Sequence, residues 1–375
     1  MNEPVSRRTF LQQGTGLTLA AGLSGPRLFA GEGPEPIQTF RRGGMLYRRL
    51  GQTDLFVSAL SFGSHVNPGY RQSAKQGSAL TEKGQARRDR HISKAFDYGV
   101  NMVDTYENAG QWQPMAKLVR TQREKVLVSI CRQFPNFVGK NIDDAARLFG
   151  HVDMYRIYVG DGPGVDEKIL EDWDVMRTAK KTGKVRAIGI STHSQRMMSS
   201  ALEELEGLDY IMFPYNFIHA RSDYSEFLPK AVRRKVGLIA IKPLAAGSIV
   251  KLDPRARPGS TPENPRIELY QNRNRPVLPA VVQKLTESLG RSPDETLCQS
   301  ALRFVYSRPF MTSAMPGMFQ EHELDDNYAA LQSHLKLSQA EQDVLDAAHK
   351  LSSAYGPTWL PPHYRWLDQR WRVPT

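Results

Sequence analysis

The chain has 375 residues, 40% hydrophobic and 24% charged, the balance of an ordinary soluble globular protein with room for one large domain or two smaller ones. Its formal net charge is +11, but the cations are scattered through "QARRDR", "AVRRKV" and "NRNRP" with few interleaved aromatic residues, so no nucleic acid is expected as a partner. No stretch approaches the roughly 18 apolar residues of a spanning helix, and the two cysteines, Cys131 and Cys298, lie far apart in apolar segments and fit neither a disulfide framework nor a metal spacing, so no metal is expected.

The first element is not part of the fold. Residues 1–33 read "MNEPVSRRTFLQQGTGLTLAAGLSGPRLFAGEG": a short polar start, the pair Arg7-Arg8, Phe10-Leu11 just behind it, and an uncharged, Gly-rich, moderately apolar run to Pro26. This resembles a bacterial twin-arginine export signal. The glycines argue against a basic amphipathic helix. Cleavage is expected near Ala30, although Leu28 stands where a small residue is usual, and an uncut, membrane-anchored signal is the alternative. The expectation is export in folded form, with the twin-arginine translocation machinery as a partner and a periplasmic or envelope location.

From Leu46 onward short apolar runs alternate with helical patterns. The runs fall at 58–64, 100–106, 125–132, 154–160, 185–192, 210–216, 236–243 and 310–317, each β-branched, apolar on both faces and of strand length, as buried parallel strands are. Amphipathic stretches at 90–99, 167–184, 194–207 and 227–237 lie between them, several ending in Gly. Eight strands with intervening helices over about 280 residues predict a (β/α)8 TIM barrel, within 46–350. A doubly wound open sheet is the runner-up, but "SFGSHVNPGY" after the first strand carries no G-x-G-x-x-G.

Three segments read as additions to such a barrel: 68–88 after strand one, the Pro-, Arg- and Asn-rich 253–277 after strand seven, and the Trp- and Pro-rich C-terminal tail 351–375. Loops after strands open on the C-terminal face, where barrel active sites sit. The tail either caps that mouth, meets a partner, or packs on the barrel side.

"YRRLGQTDLFVSALSFGS" (47–64), "AFDYGVNMVDT" (95–105), "GKVRAIGIST" (183–192), "IKPLAAG" (241–247) and "SAMPGMFQEHELDDNYAAL" (313–331) stand in an order and spacing that resemble the aldo/keto reductases. The resemblance implies a barrel closed below by an N-terminal β-hairpin, binding an extended nicotinamide dinucleotide without a Rossmann motif. It also implies hydride transfer with a carbonyl or alcohol, assisted by an Asp, a Tyr, a Lys and a His. Asp104 falls on the family Asp; Ala109 stands at the Tyr, Cys131 at the Lys and Tyr158 at the His, so the usual proton relay is expected to be lost. Tyr158 is then a replacement proton donor, with Lys242 or Arg132 to lower its pKa from roughly 10. Asp104, Tyr158 and Lys242 form the expected catalytic set. Tyr106, Glu107, Arg132, Asp161 and His193 are further groups at the C-terminal strand ends, each with a plain alternative: the tyrosines as fillers, Arg132 paired with Asp104 or Asp161, His193 capping a helix.

For the cofactor, the resemblance points to Ser191 and Thr192 at the carboxamide, to Pro243, Leu244 and Gly247 after strand seven, and to Pro316, Gly317, Phe319 and Asn327 around strand eight, with Asn327 at the adenine. Phe319 stands where an Arg often meets a 2′-phosphate and Glu323 where Gln is common, so NAD is favoured over NADP. The substrate expected is a carbonyl or sugar-like small molecule. A catalytically inactive homologue, binding a dinucleotide or an envelope partner, is the competing expectation. The sequence leaves the oligomeric state open.

Overall fold

A computed structural model describes residues 37–66, 68–73, 78–106, 109–133, 137–160, 162–216, 227–244, 294–341 and 343. The signal segment, Glu107, Asp161, Gly247, the 253–277 insertion and the tail with Trp359, Trp366 and Trp371 lie outside them.

The described chain opens with an antiparallel sheet of β1 (Thr39–Arg42), β2 (Met45–Arg49) and β3 (Phe56–Ser58). The alternation then becomes α1 (Glu82–Asp97), β4 (Met102–Tyr106), α2 (Ala109–Val119), β5 (Leu127–Arg132), α3 (Val138–Phe149) and β6 (Val152–Tyr158). It continues through α4 (Glu167–Lys181), β7 (Val185–Ser191), α5 (Gln195–Glu204), β8 (Tyr210–Pro214), α6 (Phe227–Arg233), β9 (Gly237–Ile241), α7 (Leu297–Ser307), β10 (Met311–Met315) and α8 (Glu321–Ala329). Strands β4 to β10 form one parallel sheet in chain order. The segment after β3 closes it: Leu60 bridges Ala314 of β10, Phe62 bridges Val103 of β4, and both bridges are parallel. The Ser61 N–H donates to the Ala314 carbonyl and the Asp104 N–H to the Phe62 carbonyl. Residues 59–62 thus stand as the first staves of an eight-stranded (β/α)8 barrel, as expected.

The hairpin plugs the N-terminal end. Leu50, Leu55 and Val57 join Met102, Leu127, Met154, Ala187, Tyr210 and Ile239 in an interior apolar cluster. Fully burying one such aliphatic side chain stabilises by about 1.5–3 kcal/mol. Leu50 is followed by Gly51 at φ 54, where a Cβ would lie 2.6–2.8 Å from backbone atoms of Lys235, Gly237 and Asp209. Only glycine lets the hairpin approach the strand ends so closely. Helix faces cover the barrel exterior in the larger core cluster. Both cysteines are buried and form no disulfide.

The sequence reading placed the first helix at 90–99 and an added loop over 68–88, but α1 begins at Glu82, capped by Thr81, whose side chain accepts the Gly84 N–H. The reason is the character of its buried face. Gly84, Arg88 and His91 precede Ile92 and Ala95 along it, so the first two turns show no apolar period.

Inside the barrel, Gly189 of β7 stands in register with Arg156 of β6 and Tyr210 of β8. A Cβ there would lie 2.4 Å from the Tyr210 carbonyl and 2.7 Å from its ring. Gly189→Ala is therefore expected to cost about 1–3 kcal/mol by overpacking. A thermal midpoint several degrees below wild type checks this; an unchanged midpoint would show that β7 and β8 can part freely.

Candidate active site

Interior positions of the strands build two polar levels above the apolar plug. The lower one is a buried ion pair. Asp104, in the middle of β4, is fully buried, and Arg156, two residues before the end of β6, is 4% exposed. The guanidinium meets the carboxylate bidentately, Nη1 to Oδ1 at 2.5 Å and Nη2 to Oδ2 at 2.9 Å. Ser129 of β5 donates to Asp104 Oδ1 at 2.7 Å and accepts from Arg156 Nη1 at 3.0 Å. Burial works against the Arg156 charge, but Asp104 outweighs it, and its pKa stands above the ordinary arginine value. The partner of Asp104 is thus Arg156, not the Arg132 that the sequence reading offered. The signal for it was present: in "DMYRIY" an arginine shares strand parity with Met154 and Tyr158, so it points inward.

The upper level lies at the strand ends. Tyr158 closes β6, His193 follows β7 and Lys242 follows β9. The Tyr158 hydroxyl lies 3.1 Å from His193 Nδ1, and Lys242 Nζ lies 2.9 Å from His193 Nε2. One imidazole therefore joins two residues of the expected catalytic set. His193 does not cap α5; Ser194 does, accepting the Met197 N–H, and this leaves the imidazole turned to the mouth. Lys242 sits at φ 51, a left-handed backbone uncommon for a residue with a side chain. The Asn216 side chain donates to its carbonyl at 3.2 Å. Strain of this kind persists where surrounding structure imposes it. Burial lowers the Lys242 ammonium to about 8.

The donor inventory fixes the direction of this chain. An ammonium only donates, so His193 Nε2 accepts and its proton sits on Nδ1. The Nδ1–H then donates to the Tyr158 oxygen, so in this link the phenol accepts and keeps its own O–H as a donor. Tyr106, at the end of β4, packs edge-on against the exposed His65 with ring centroids 5.7 Å apart. Its hydroxyl is 3.4 Å from His65 Nε2, and burial, then Cys131, raises its pKa, which makes it a poor donor to a base. Ala109 opens α2.

The expected cofactor positions divide between strands. Ser191 and Thr192 are buried at the end of β7, and the Thr192 hydroxyl accepts the Ser194 N–H. Pro243 is buried and Leu244 half-buried after Lys242. Past β10, Pro316 is buried and Gly317 is exposed with nothing near a Cβ. The N–H groups of Phe319 and Gln320 both donate to the Glu323 carboxylate, which burial pushes up to about 7. Asn327 on α8 is 3% exposed, and its Nδ2 has no partner among the described residues. A buried amide donor without a partner costs about 1–3 kcal/mol unless a ligand satisfies it. An adenine acceptor answers that need, so the residues present fit a dinucleotide.

A family model described as the aldo/keto reductase family matches residues 72–350. L-glyceraldehyde 3-phosphate reductase of Escherichia coli O157:H7 is 23% identical over 84% of this chain and 96% of its own length. A probable voltage-gated potassium channel subunit beta of Arabidopsis thaliana is 26% identical over 76% and 91%. An aldo-keto reductase from Bacillus halodurans in its holo form superposes with a TM-score of 0.61 at 20% identity, over 80% of this chain and 95% of that one. An aldo/keto reductase from Klebsiella pneumoniae, solved with NADP and acetate, gives 0.57 at 18% identity over 84% and 95%.

Proposed function

The chain belongs to the aldo/keto reductase family, and on that premise we propose that it is a nicotinamide-dependent oxidoreductase. Its substrate is a carbonyl or sugar-like molecule, and Tyr158 is its proton donor. The observation that carries this reading is the Lys242–His193–Tyr158 hydrogen-bond chain at the barrel mouth. It supplies what the family's Tyr, Lys and His supply elsewhere, from residues at other positions.

When bound, a reduced nicotinamide supplies a hydride to the carbonyl carbon. The Tyr158 hydroxyl gives its proton to the carbonyl oxygen as the C=O electron pair moves onto that oxygen. The phenolic oxygen takes the His193 Nδ1 proton, and His193 Nε2 takes one from Lys242. One proton has then left Lys242, and solvent at the mouth restores it. Asp104 and Arg156 do not touch the reacting atoms; their pair holds β4 and β6 at the level beneath. Ser191, Thr192, Pro243, Leu244, Gly247, Pro316, Gly317, Phe319 and Asn327 would hold the dinucleotide. NAD is preferred: Phe319 offers no cation to a 2′-phosphate, and Glu323 already accepts the two N–H groups at the start of α8.

Isothermal titration of the chain from Glu32 with NADH and NADPH, followed by NADH consumption over a carbonyl panel, tests the reading. Saturable NADH binding, weaker NADPH binding and turnover of one carbonyl class are expected; heat from neither nucleotide would sink it. Because Lys242 is the proton source, the reduction rate is expected to fall as pH rises through about 8. Lys242→Met should flatten that limb and lower the plateau. A profile that is identical in the variant would remove Lys242 from the relay.

Export belongs to the same proposal. Arg7-Arg8 direct the folded protein to the periplasm or envelope, with loading of its cofactor beforehand.

A further inference from the structure

A second polar site lies beside the first. A small open cleft runs between the loop after β3, helix α1 and the start of α8. Phe62, His65, Tyr70, Arg87, Arg88 and His91 are among its walls, and it shares Phe319 with the expected cofactor positions. Arg88 is 8% exposed, its guanidinium stands over the Phe62 ring at 5.4 Å, and its side chain donates only a long bond among the described residues, Nη2 to the Gly63 carbonyl at 3.4 Å. Three other buried arginines among the described residues have direct partners. Arg156 is paired with Asp104, Arg303 with Glu295 and Glu341, and Arg48 donates to three backbone carbonyls. Arg88 has no carboxylate within ion-pair distance among the described residues. Asp89 and Asp104 act on the Arg88 charge only at longer range, and burial outweighs them, so its desolvation is only partly offset. Arg87 adds a second cation, stacked at 5.2 Å over Tyr70 and donating to Gln320 Oε1 at 2.8 Å. His91 is 4% exposed, and its Nε2 has no partner among the described residues. Burial holds this imidazole neutral, down to about 4.

We propose that this cleft binds an oxyanion carried by the substrate, a phosphate or carboxylate, against Arg87 and Arg88, with His91 Nε2 accepting a hydroxyl proton from the same group or its neighbour. Arginine forks match both anions. The cleft opens on the barrel's catalytic end, for His65 on its wall packs against Tyr106, two residues beyond Asp104. The anion is the handle that sets the carbonyl toward Tyr158. That role rests on the oxidoreductase reading; the binding itself does not.

The test is isothermal titration of the whole mature chain, free of cofactor, with inorganic phosphate and separately with sodium acetate. The variants are Arg87→Gln, Arg88→Lys and Arg88→Met, their folding checked by circular dichroism. Arg87 is only half-buried, so its variant stays informative if Arg88→Met fails to fold. Saturable phosphate binding is expected, weakened at least tenfold in Arg87→Gln and Arg88→Met and less in Arg88→Lys. Tighter binding of acetate than of phosphate identifies a carboxylate as the anion. Binding of neither, or equal binding by wild type and both charge-removing variants, overturns the site. Displacement of bound phosphate by NADH also overturns it, because the anion is then the cofactor's. NADH consumption on the same preparations separates the two proposals: phosphate binding without turnover keeps the anion site and rejects the activity.

Discussion

Tyr158→Phe is expected to lower the carbonyl reduction rate by about 10²–10⁴-fold while leaving NADH affinity within a few-fold of wild type. The substitution removes one oxygen and keeps the ring, which packs 5.5 Å from His193. Dinucleotide positions on β7, β9 and α8 are untouched, so the loss should appear in kcat rather than in cofactor binding. His193→Phe breaks both links of the chain at once, since Tyr158 and Lys242 meet through its two nitrogens. Residues that act as one unit show non-additive effects. The double variant should therefore be little slower than Tyr158→Phe alone. Stopped-flow traces of NADH consumption at saturating cofactor would measure this. A Tyr158→Phe enzyme turning over within threefold of wild type would mean that the proton comes from elsewhere, and Tyr106 or water would be the next donor to test.

The largest stability effect is expected at the buried pair. Arg156→Met leaves the Asp104 carboxylate fully buried with, among the described residues, the Ser129 hydroxyl as its remaining side-chain hydrogen bond. Asp104→Asn leaves the guanidinium with a neutral amide. Breaking a buried pair from one side typically costs about 3–5 kcal/mol. For a barrel of this size the thermal midpoint should fall on the order of 10 °C. The combined Asp104→Leu/Arg156→Met variant removes both charges, and it should recover a large part of that loss. The destabilisation comes from an uncompensated charge rather than from a missing contact. Thermal and urea melts of the three variants decide the matter. Single variants melting within two degrees of wild type would show that water reaches this level of the barrel and solvates the orphaned charge.

Much of the fold was legible because it rests on local pattern. Eight buried strand-length runs, the helices between them and the glycines at their ends are properties of short windows; seven runs contain their strand or bridge segment, and the run at 154–160 overlaps β6, which begins two residues earlier at Val152. Position along a strand also told that Tyr158 and Lys242 reach the barrel mouth, at the end of β6 and just after β9, whereas Asp104, in the middle of β4, lies a level below. The start of α1 was not legible, since its buried face begins with Gly84, Arg88 and His91, and no apolar period announces it.

Strand parity gives a side chain its face but not its partner. Which side chains meet across the barrel depends on the stagger between strands, a property of the closed sheet and of no single window. That stagger gave Asp104 to Arg156, 52 residues away, and left Arg132 outside the pair. It also put His193 between Tyr158 and Lys242, turning three unrelated sequence positions into one hydrogen-bonded chain. The cleft at Arg88 belongs to the same class. Its charge stands in an ordinary-looking polar run, "QARRDRH", and only the packing of α1 against the first stave and α8 removes that charge from water without a carboxylate to meet it.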